Sequence, residues 1–240
     1  MGYKENPKLV GSGILGAIPQ TGTCPNNCPD CFFQSGRSFL EPLDESLPNM
    51  PTEADIRGRI VRVNDGHDSN IKRSDVMGAC KDFPMKFYNT AIPRGLDEFD
   101  APVVLTLNPG KKTDTEFHKF TEIPPNLMFV RLRVNTWNLD LVREAVDYYT
   151  SREVPVVLTF MAYFNETIPE GHEDDYTFRQ RTLNSYWAIT TAAWRWVMTL
   201  FEDNVWVHSC GKVEGEKGST KCRHCGNCIR EYFATSERLR

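Results

Sequence analysis

Apolar runs rich in β-branched residues alternate with segments of helical spacing along most of the chain. The runs lie at 9–18, 59–64, 86–91, 102–107, 128–134 and 155–162. Helices are expected near 52–58, 72–82, 114–121 and 138–152, with a longer one over 176–202. Continuous apolar runs are typical of strands buried on both faces. Because strands alternate with helices, the pattern predicts parallel βαβ units and an α/β fold.

The chain length limits how far such a sheet can close. A closed barrel of eight β/α units usually needs about 250 residues, and this chain has 240, of which both ends carry cysteine-rich segments. We therefore expect an open, partial TIM-like barrel of about six β/α units over 1–207. Residues 208–240 are expected to form a small Cys-rich, metal-binding appendage, because so short a segment has too small a core to fold without metal.

Cysteine usage is the second strong signal. No apolar run reaches the roughly 18–20 residues that span a bilayer, and the first residues lack the apolar segment of a secretory signal. We therefore expect a cytoplasmic, reducing environment, in which clustered cysteines more often bind metal than form disulfides. Seven of the eight cysteines fall into two groups, Cys24, Cys28 and Cys31, and Cys210, Cys222, Cys225 and Cys228.

The N-terminal group follows the first predicted strand in the segment TGTCPNNCPDCFF, with the spacing C-x3-C-x2-C. Loops at the carboxyl ends of strands are where α/β folds build their sites. A cubane cluster normally takes four thiolates, so three would leave one iron open for a ligand. Spacing alone also permits a zinc site completed by Cys80, His67 or Asp30.

Residues 24–31 resemble the cysteine signature of the radical S-adenosylmethionine superfamily. The resemblance implies a [4Fe–4S] cluster whose open iron binds the methionine part of S-adenosylmethionine. It implies reductive cleavage to a 5′-deoxyadenosyl radical, which abstracts hydrogen from a substrate, and an electron donor such as flavodoxin or ferredoxin. Asp30 stands where this family usually has an aromatic residue, and Phe32 follows the third cysteine instead.

Polar residues at later strand ends are similar to the places where this family contacts S-adenosylmethionine. The family's Gly-Gly-Glu-like segment corresponds to the sequence NDGHD after the second strand. Polar residues that end the fourth strand correspond to the ribose contacts, and an arginine of the fifth strand to the carboxylate contact. The cofactor-binding set implied by the resemblance is Phe32, Asn64, Asp65, Gly66, Asp68, Thr106, Asn108, Arg131, Arg133 and Asn135.

The C-terminal cysteines have the spacing C-x11-C-x2-C-x2-C. Four thiolates can close either a tetrahedral zinc site or a cubane cluster. The tight part of the spacing resembles ferredoxin-type cluster loops, so an auxiliary [4Fe–4S] cluster and zinc both remain open. With all four cysteines ligated no iron would be open, which favours an electron-transfer or structural role.

The leading hypothesis is thus a radical S-adenosylmethionine enzyme acting on an unidentified small molecule, peptide or nucleobase. Tyr163 and His172 follow the sixth predicted strand and are the candidates for donating a hydrogen atom or proton. The alternative is a non-catalytic, zinc-stabilised protein whose basic tail contacts nucleic acid. Residues 211–240 carry seven basic and four acidic side chains, whereas the whole chain has a net charge of −4. A ferredoxin-like redox protein would not explain a group of only three cysteines.

Overall fold

The computed structural model describes residues 2–28, 31–36, 38–108, 117–163, 168–180, 185–212 and 221–240. The strands are β1 (Ile14–Ala17), β2 (Ile60–Val63), β3 (Lys86–Thr90), β4 (Val103–Leu107), β5 (Leu127–Arg133), β6 (Val156–Thr159), β7 (Tyr176–Arg179), β8 (Tyr186–Ile189) and β9 (Val207–Cys210). The helices are α1 (Leu43–Ser46), α2 (Glu53–Ile56), α3 (Arg73–Ala79), α4 (Leu139–Thr150), α5 (Thr191–Thr199), α6 (Cys222–Cys225) and α7 (Asn227–Arg238). Short 3₁₀ helices cover Leu96–Glu98 and Glu173–Asp175.

One parallel sheet organises these elements. Seven strands pair in the order β1-β2-β3-β4-β5-β6-β9, and every pair is parallel. The sheet curls into a half-barrel, which confirms the predicted α/β class and is compatible with a partial TIM-like fold. Each of the six predicted strands forms at its expected place, and β9 adds a seventh that the sequence did not reveal.

The sheet has two differently covered faces, because successive strand side chains point in opposite directions. The outer face packs against α3, α4 and α5, whose buried residues include Val76, Val146 and Trp194. The inner face is covered by α7, through Cys228 and Tyr232, and by the N-terminal segment. Its apolar layer consists of Ile14, Ile60, Phe87, Val104, Phe129 and Val157, together with Leu9.

The prediction of a long helix over 176–202 is wrong. In its place β7 and β8 form an antiparallel pair, and among the described residues of this range α5 alone is helical. Phe178 and Trp187 are large aromatic residues that suit a strand pair. The helix begins only after Thr190, whose side-chain oxygen accepts a hydrogen bond from the Ala193 amide at 3.2 Å and so caps it.

The helix expected near 114–121 is not seen in its described part. Residues 114–116 lie outside the described residues, and 117–120 have no regular secondary structure. The helices expected near 52–58, 72–82 and 138–152 form as α2, α3 and α4.

A separate Cys-rich appendage is not confirmed. β9 pairs with β6 at the edge of the sheet, and α7 packs on the inner face. At the far end of α7, Arg238 donates a hydrogen bond to the Leu127 carbonyl at 3.0 Å. The division into 1–207 and 208–240 therefore stays a prediction. In the described part of the chain, no helix has the length and apolar character needed to cross a membrane.

Candidate functional site

The N-terminal cysteine loop leaves the carboxyl end of β1 and turns twice. The amide of Asn27 donates to the Cys24 carbonyl at 3.3 Å, and the amide of Cys31 donates to the Cys28 carbonyl at 3.2 Å. Cys24 is buried, which raises the pKa of its thiol, and the nearby Asp68, Cys28 and Cys31 raise it further. Cys28 and Cys31 thus lie near enough to Cys24 to act on its thiol. Asp30 lies outside the described residues, so its role in the loop stays a prediction.

Asp68 ties this loop to the sheet. Its carboxylate accepts hydrogen bonds from the Asn26 side chain at 2.9 Å, the Thr90 hydroxyl at 2.7 Å and the Ala91 amide at 2.6 Å. The Asn70 amide donates to it as well, at 2.8 Å. The sequence predicts Asp68 as a cofactor contact, and in the structure its oxygens hold the cysteine loop against the end of β3.

Gly66 and His67 form the second contact with the loop. The His67 Nε2 donates to the Gly22 carbonyl at 2.8 Å, and its ring meets the edge of Phe33 with centroids 5.7 Å apart. A Cβ on Gly66 would lie 2.4 Å from the Phe33 ring, so only glycine fits there. A cavity of about 420 Å³ lies beside His67, between the loop and α3.

The predicted residues that directly follow β2 have partners within the protein. Asp65 is paired with the Arg62 guanidinium and also accepts a hydrogen bond from the Asn6 side chain. The Asn64 side-chain amide donates to the Ser69 hydroxyl at 3.0 Å. These contacts fix the β2–α3 segment beside the cysteine loop.

Five buried side-chain atoms on or next to the inner face have no hydrogen-bond partner among the described residues. They are Arg62 Nε, Asn64 Oδ1, Asn89 Oδ1, Arg131 Nε and Thr159 Oγ1. Buried polar atoms normally have hydrogen-bond partners. The occurrence of such unpartnered atoms on four strands of one sheet therefore needs an explanation. A polar ligand at this face would supply one. The sequence prediction missed Arg62, Asn89 and Thr159, although strand alternation places Arg62 on the same face as Ile60.

The two candidate arginines of β5 have different surroundings. The Arg131 guanidinium lies 5.7 Å from the Phe129 ring centroid and acts electrostatically on Cys210 and Cys228. The Arg133 guanidinium lies 4.4 Å from the ring centroid of Tyr163. Of the two residues predicted to contact the ribose, Thr106 lies on β4 and is in register with Arg131 of β5. Both Thr106 and Asn108 are half-buried. Phe32 contacts the Lys8 ammonium at 4.7 Å.

Tyr163 and His172 belong to one aromatic cluster beyond the carboxyl end of β5. The Trp137 ring centroid is 5.1 Å from that of Tyr163 and 5.7 Å from that of His172. The Asn135 side chain donates to the Tyr163 hydroxyl at 3.0 Å. Tyr176 completes the cluster, and burial raises the pKa of its hydroxyl. The two predicted hydrogen donors are therefore brought together with Asn135.

The C-terminal cysteines come from β9, α6 and α7. A hydrogen bond between the thiols of Cys210 and Cys225 raises the pKa of Cys210 and lowers that of Cys225. Burial raises the pKa of Cys222 and Cys228, and nearby guanidinium groups oppose that shift. For Cys222 the opposing guanidinium is that of Arg62. The four thiols thus gather at the inner face of the sheet.

The described residues contain no group of three or more His, Cys, Asp or Glu side chains arranged as a metal-ion site. The donor chemistry of both cysteine groups nevertheless suits a cluster. In a cubane each thiolate binds a different iron, so its sulfurs need not surround one point. The unpartnered Nε atoms of Arg62 and Arg131 suit an anionic group beside the C-terminal cysteines.

Comparison with known proteins gives no assignment. No protein-family model, curated protein or solved structure matches the chain.

Proposed function

We propose that the protein is a radical S-adenosylmethionine enzyme. The observation that supports it is the position of the three-cysteine loop, at the carboxyl end of β1 in a curled parallel sheet whose inner face carries unpartnered polar atoms. The carboxyl edge of parallel strands is where α/β folds bind ligands. A loop held there by Asp68 would place its ligand against the adjoining strands.

Each group of residues has a role in this proposal. Cys24, Cys28 and Cys31 would hold a [4Fe–4S] cluster. When bound, the cluster and S-adenosylmethionine would supply a 5′-deoxyadenosyl radical for hydrogen abstraction from a substrate. The polar residues Asn64, Thr106, Asn108 and Arg133 would orient S-adenosylmethionine.

The aromatic cluster would act on the substrate. Tyr163 and His172 would hold or pass a hydrogen atom or proton, with Asn135 fixing the Tyr163 hydroxyl at 3.0 Å. The substrate would be a small molecule, a peptide or a nucleobase, and a flavodoxin or ferredoxin would donate the electron. The C-terminal cysteines would hold a second metal centre, either an auxiliary [4Fe–4S] cluster or zinc.

Product analysis tests the proposal directly. Anaerobically reconstituted protein given dithionite and S-adenosylmethionine should release 5′-deoxyadenosine, measured by chromatography and mass spectrometry. Cys24→Ala should abolish release, since two thiolates cannot replace three. The matched control is Cys80→Ala, because Cys80 is buried at the end of α3 and belongs to neither cysteine group.

The outcomes separate the two hypotheses. Cluster-replete protein that releases no 5′-deoxyadenosine would rule out the enzyme proposal. Zinc at both cysteine groups, without visible absorbance, would support the zinc-stabilised binding protein instead.

A further inference from the structure

We propose that Arg62 and Arg131 are positioning residues for an iron–sulfur cluster held by the C-terminal cysteines on the inner face of the sheet. Their guanidinium groups would donate hydrogen bonds to the ligating sulfurs and compensate the negative charge of the site. The inference rests on the proposed function only in taking Cys210, Cys222, Cys225 and Cys228 as cluster ligands.

The C-terminal cysteines lie against the inner face of the sheet. Cys210 ends β9 and is in register with Thr159 of β6. Cys228 packs in the inner-face apolar layer with Phe129. The Cys222 amide donates to the Lys8 carbonyl at 2.9 Å, which ties α6 to the N-terminal segment. The ligands are therefore carried by elements anchored on the sheet, and the cluster would face the half-barrel.

The C-terminal cysteines would carry negative charge when they bind iron. Cysteine binds iron as the thiolate. Four thiolates, of which Cys228 is buried and the other three are half-buried, form an anionic site that needs compensation by cations or hydrogen-bond donors. An arginine stays protonated and offers five N–H donors. Arg62 and Arg131 are the cations that act on Cys210 and Cys228. Among the described residues, no carboxylate forms an ion pair with Arg131.

Arg62 and Arg131 each have a hydrogen-bond donor without a partner among the described residues. The Nε atoms of Arg62 and Arg131 are both buried and have no partner among the described residues. A neutral thiol is a weak acceptor, whereas a thiolate or cluster sulfur is a good one. Ligation of iron would therefore give these N–H groups the acceptors they lack.

The ion pair with Asp65 constrains the orientation of the Arg62 side chain. Asp65 pairs with the Arg62 guanidinium and also accepts a hydrogen bond from the Asn6 side chain. The Arg62 guanidinium also acts electrostatically on Cys222, Cys210 and Cys228. Asp65 thus holds a guanidinium that acts on three of the four C-terminal cysteines.

The test measures the reduction potential of the C-terminal cluster alone. In the full chain, Cys24, Cys28 and Cys31 are changed to Ala so that all bound iron belongs to the C-terminal group. Arg62→Gln and Arg131→Gln are then compared with this parent by iron and sulfide content and by redox titration followed by electron paramagnetic resonance. Arg143→Gln is the control, because Arg143 lies half-exposed on α4 near Asp140.

Loss of a cation and a sulfur hydrogen bond disfavours the reduced, more negative cluster. Each Gln variant should lower the equilibrium constant for one-electron reduction about tenfold, which is a shift of about 59 mV to more negative potential. Arg→Lys at the same positions should recover part of the shift, because the charge is kept and the planar donor fork is lost. The Arg143 variant should keep the parent potential.

Three results would overturn the inference: zinc in place of iron, no metal in the parent, or the parent potential in both Gln variants. If Arg62→Gln fails to fold, as judged by circular dichroism, the less buried Arg131 decides the question. Failure of the wild-type protein to release 5′-deoxyadenosine would refute the proposed function, yet it would not change these potentials. The two proposals are therefore tested separately.

Discussion

At the residue scale, the segment between β2 and α3 has a position that the sequence predicts and contacts that it does not predict. Its polar residues were selected from the sequence because they follow a strand that ends at the binding edge of an α/β sheet. Their actual partners lie far along the chain, as Asn26 does for Asp68 and Phe33 does for Gly66. The sequence could locate the segment, but it could not show that these two residues support the cysteine loop.

Gly66 offers a sharp test of that support. In Gly66→Ala the added Cβ would lie 2.4 Å from the Phe33 ring, and overpacking of this kind costs about 1–3 kcal/mol. We expect the free energy of unfolding in urea to fall by that amount. Gly78→Ala is the matched control, because no atom lies within 4 Å of a Cβ at Gly78 in α3. There alanine should be neutral or stabilising by up to about 1 kcal/mol. Equal effects of the two substitutions would contradict the packing of Phe33 on Gly66.

At the element scale, the predictable strands are those whose own composition determines them. The runs that form β4 and β6 are continuous and apolar, so their burial on both faces could be read directly. β9 was missed because VHSC is short and mixed, and it becomes a strand only by pairing with β6. The sequence does not predict α7, because the spacing of its one cysteine, Cys228, resembles a loop around a metal. Its apolar contact with the sheet depends on Tyr232, which no local pattern connects to Phe87.

Neighbouring aromatic residues of α7 test this packing. Tyr232 is 7% exposed, and its ring centroid lies 6.4 Å from that of Phe87, whereas Phe233 is 54% exposed. Tyr232→Ala should lower the free energy of unfolding by about 3 kcal/mol, since it leaves a cavity under the helix. Phe233→Ala should change it by less than about 0.5 kcal/mol. Urea unfolding followed by fluorescence measures both, and a larger loss for Phe233 would show that α7 presents a different face to the sheet.

At the scale of the whole molecule, the two ends of the chain meet at the inner face. The N-terminal segment contributes Leu9 to the apolar layer, and its Lys8 carbonyl accepts the Cys222 amide. A Cβ on Gly13 would lie 2.9 Å from the Ile229 side chain of α7, so the two segments approach closely. These contacts connect the N-terminal segment and the C-terminal cysteines through one layer of packing. Contacts so distant in sequence cannot be inferred from periodicity.

A division of the chain at residue 207 predicts that residues 1–207 fold alone. The packing of α7 on the sheet predicts that they do not. A chain ending at residue 207 would keep only the first residue of β9 and would lose α7 entirely. Phe87 and Phe129 would then lose the helix that covers them. Exposed apolar surface of this kind favours aggregation. We expect the shortened chain to bind a hydrophobic dye and to lack a cooperative urea transition. A chain ending at residue 238 is the control, because it loses only Leu239 and Arg240, which are exposed. Cooperative unfolding of the shortened chain would show that residues 1–207 fold independently and that 208–240 form a separate unit.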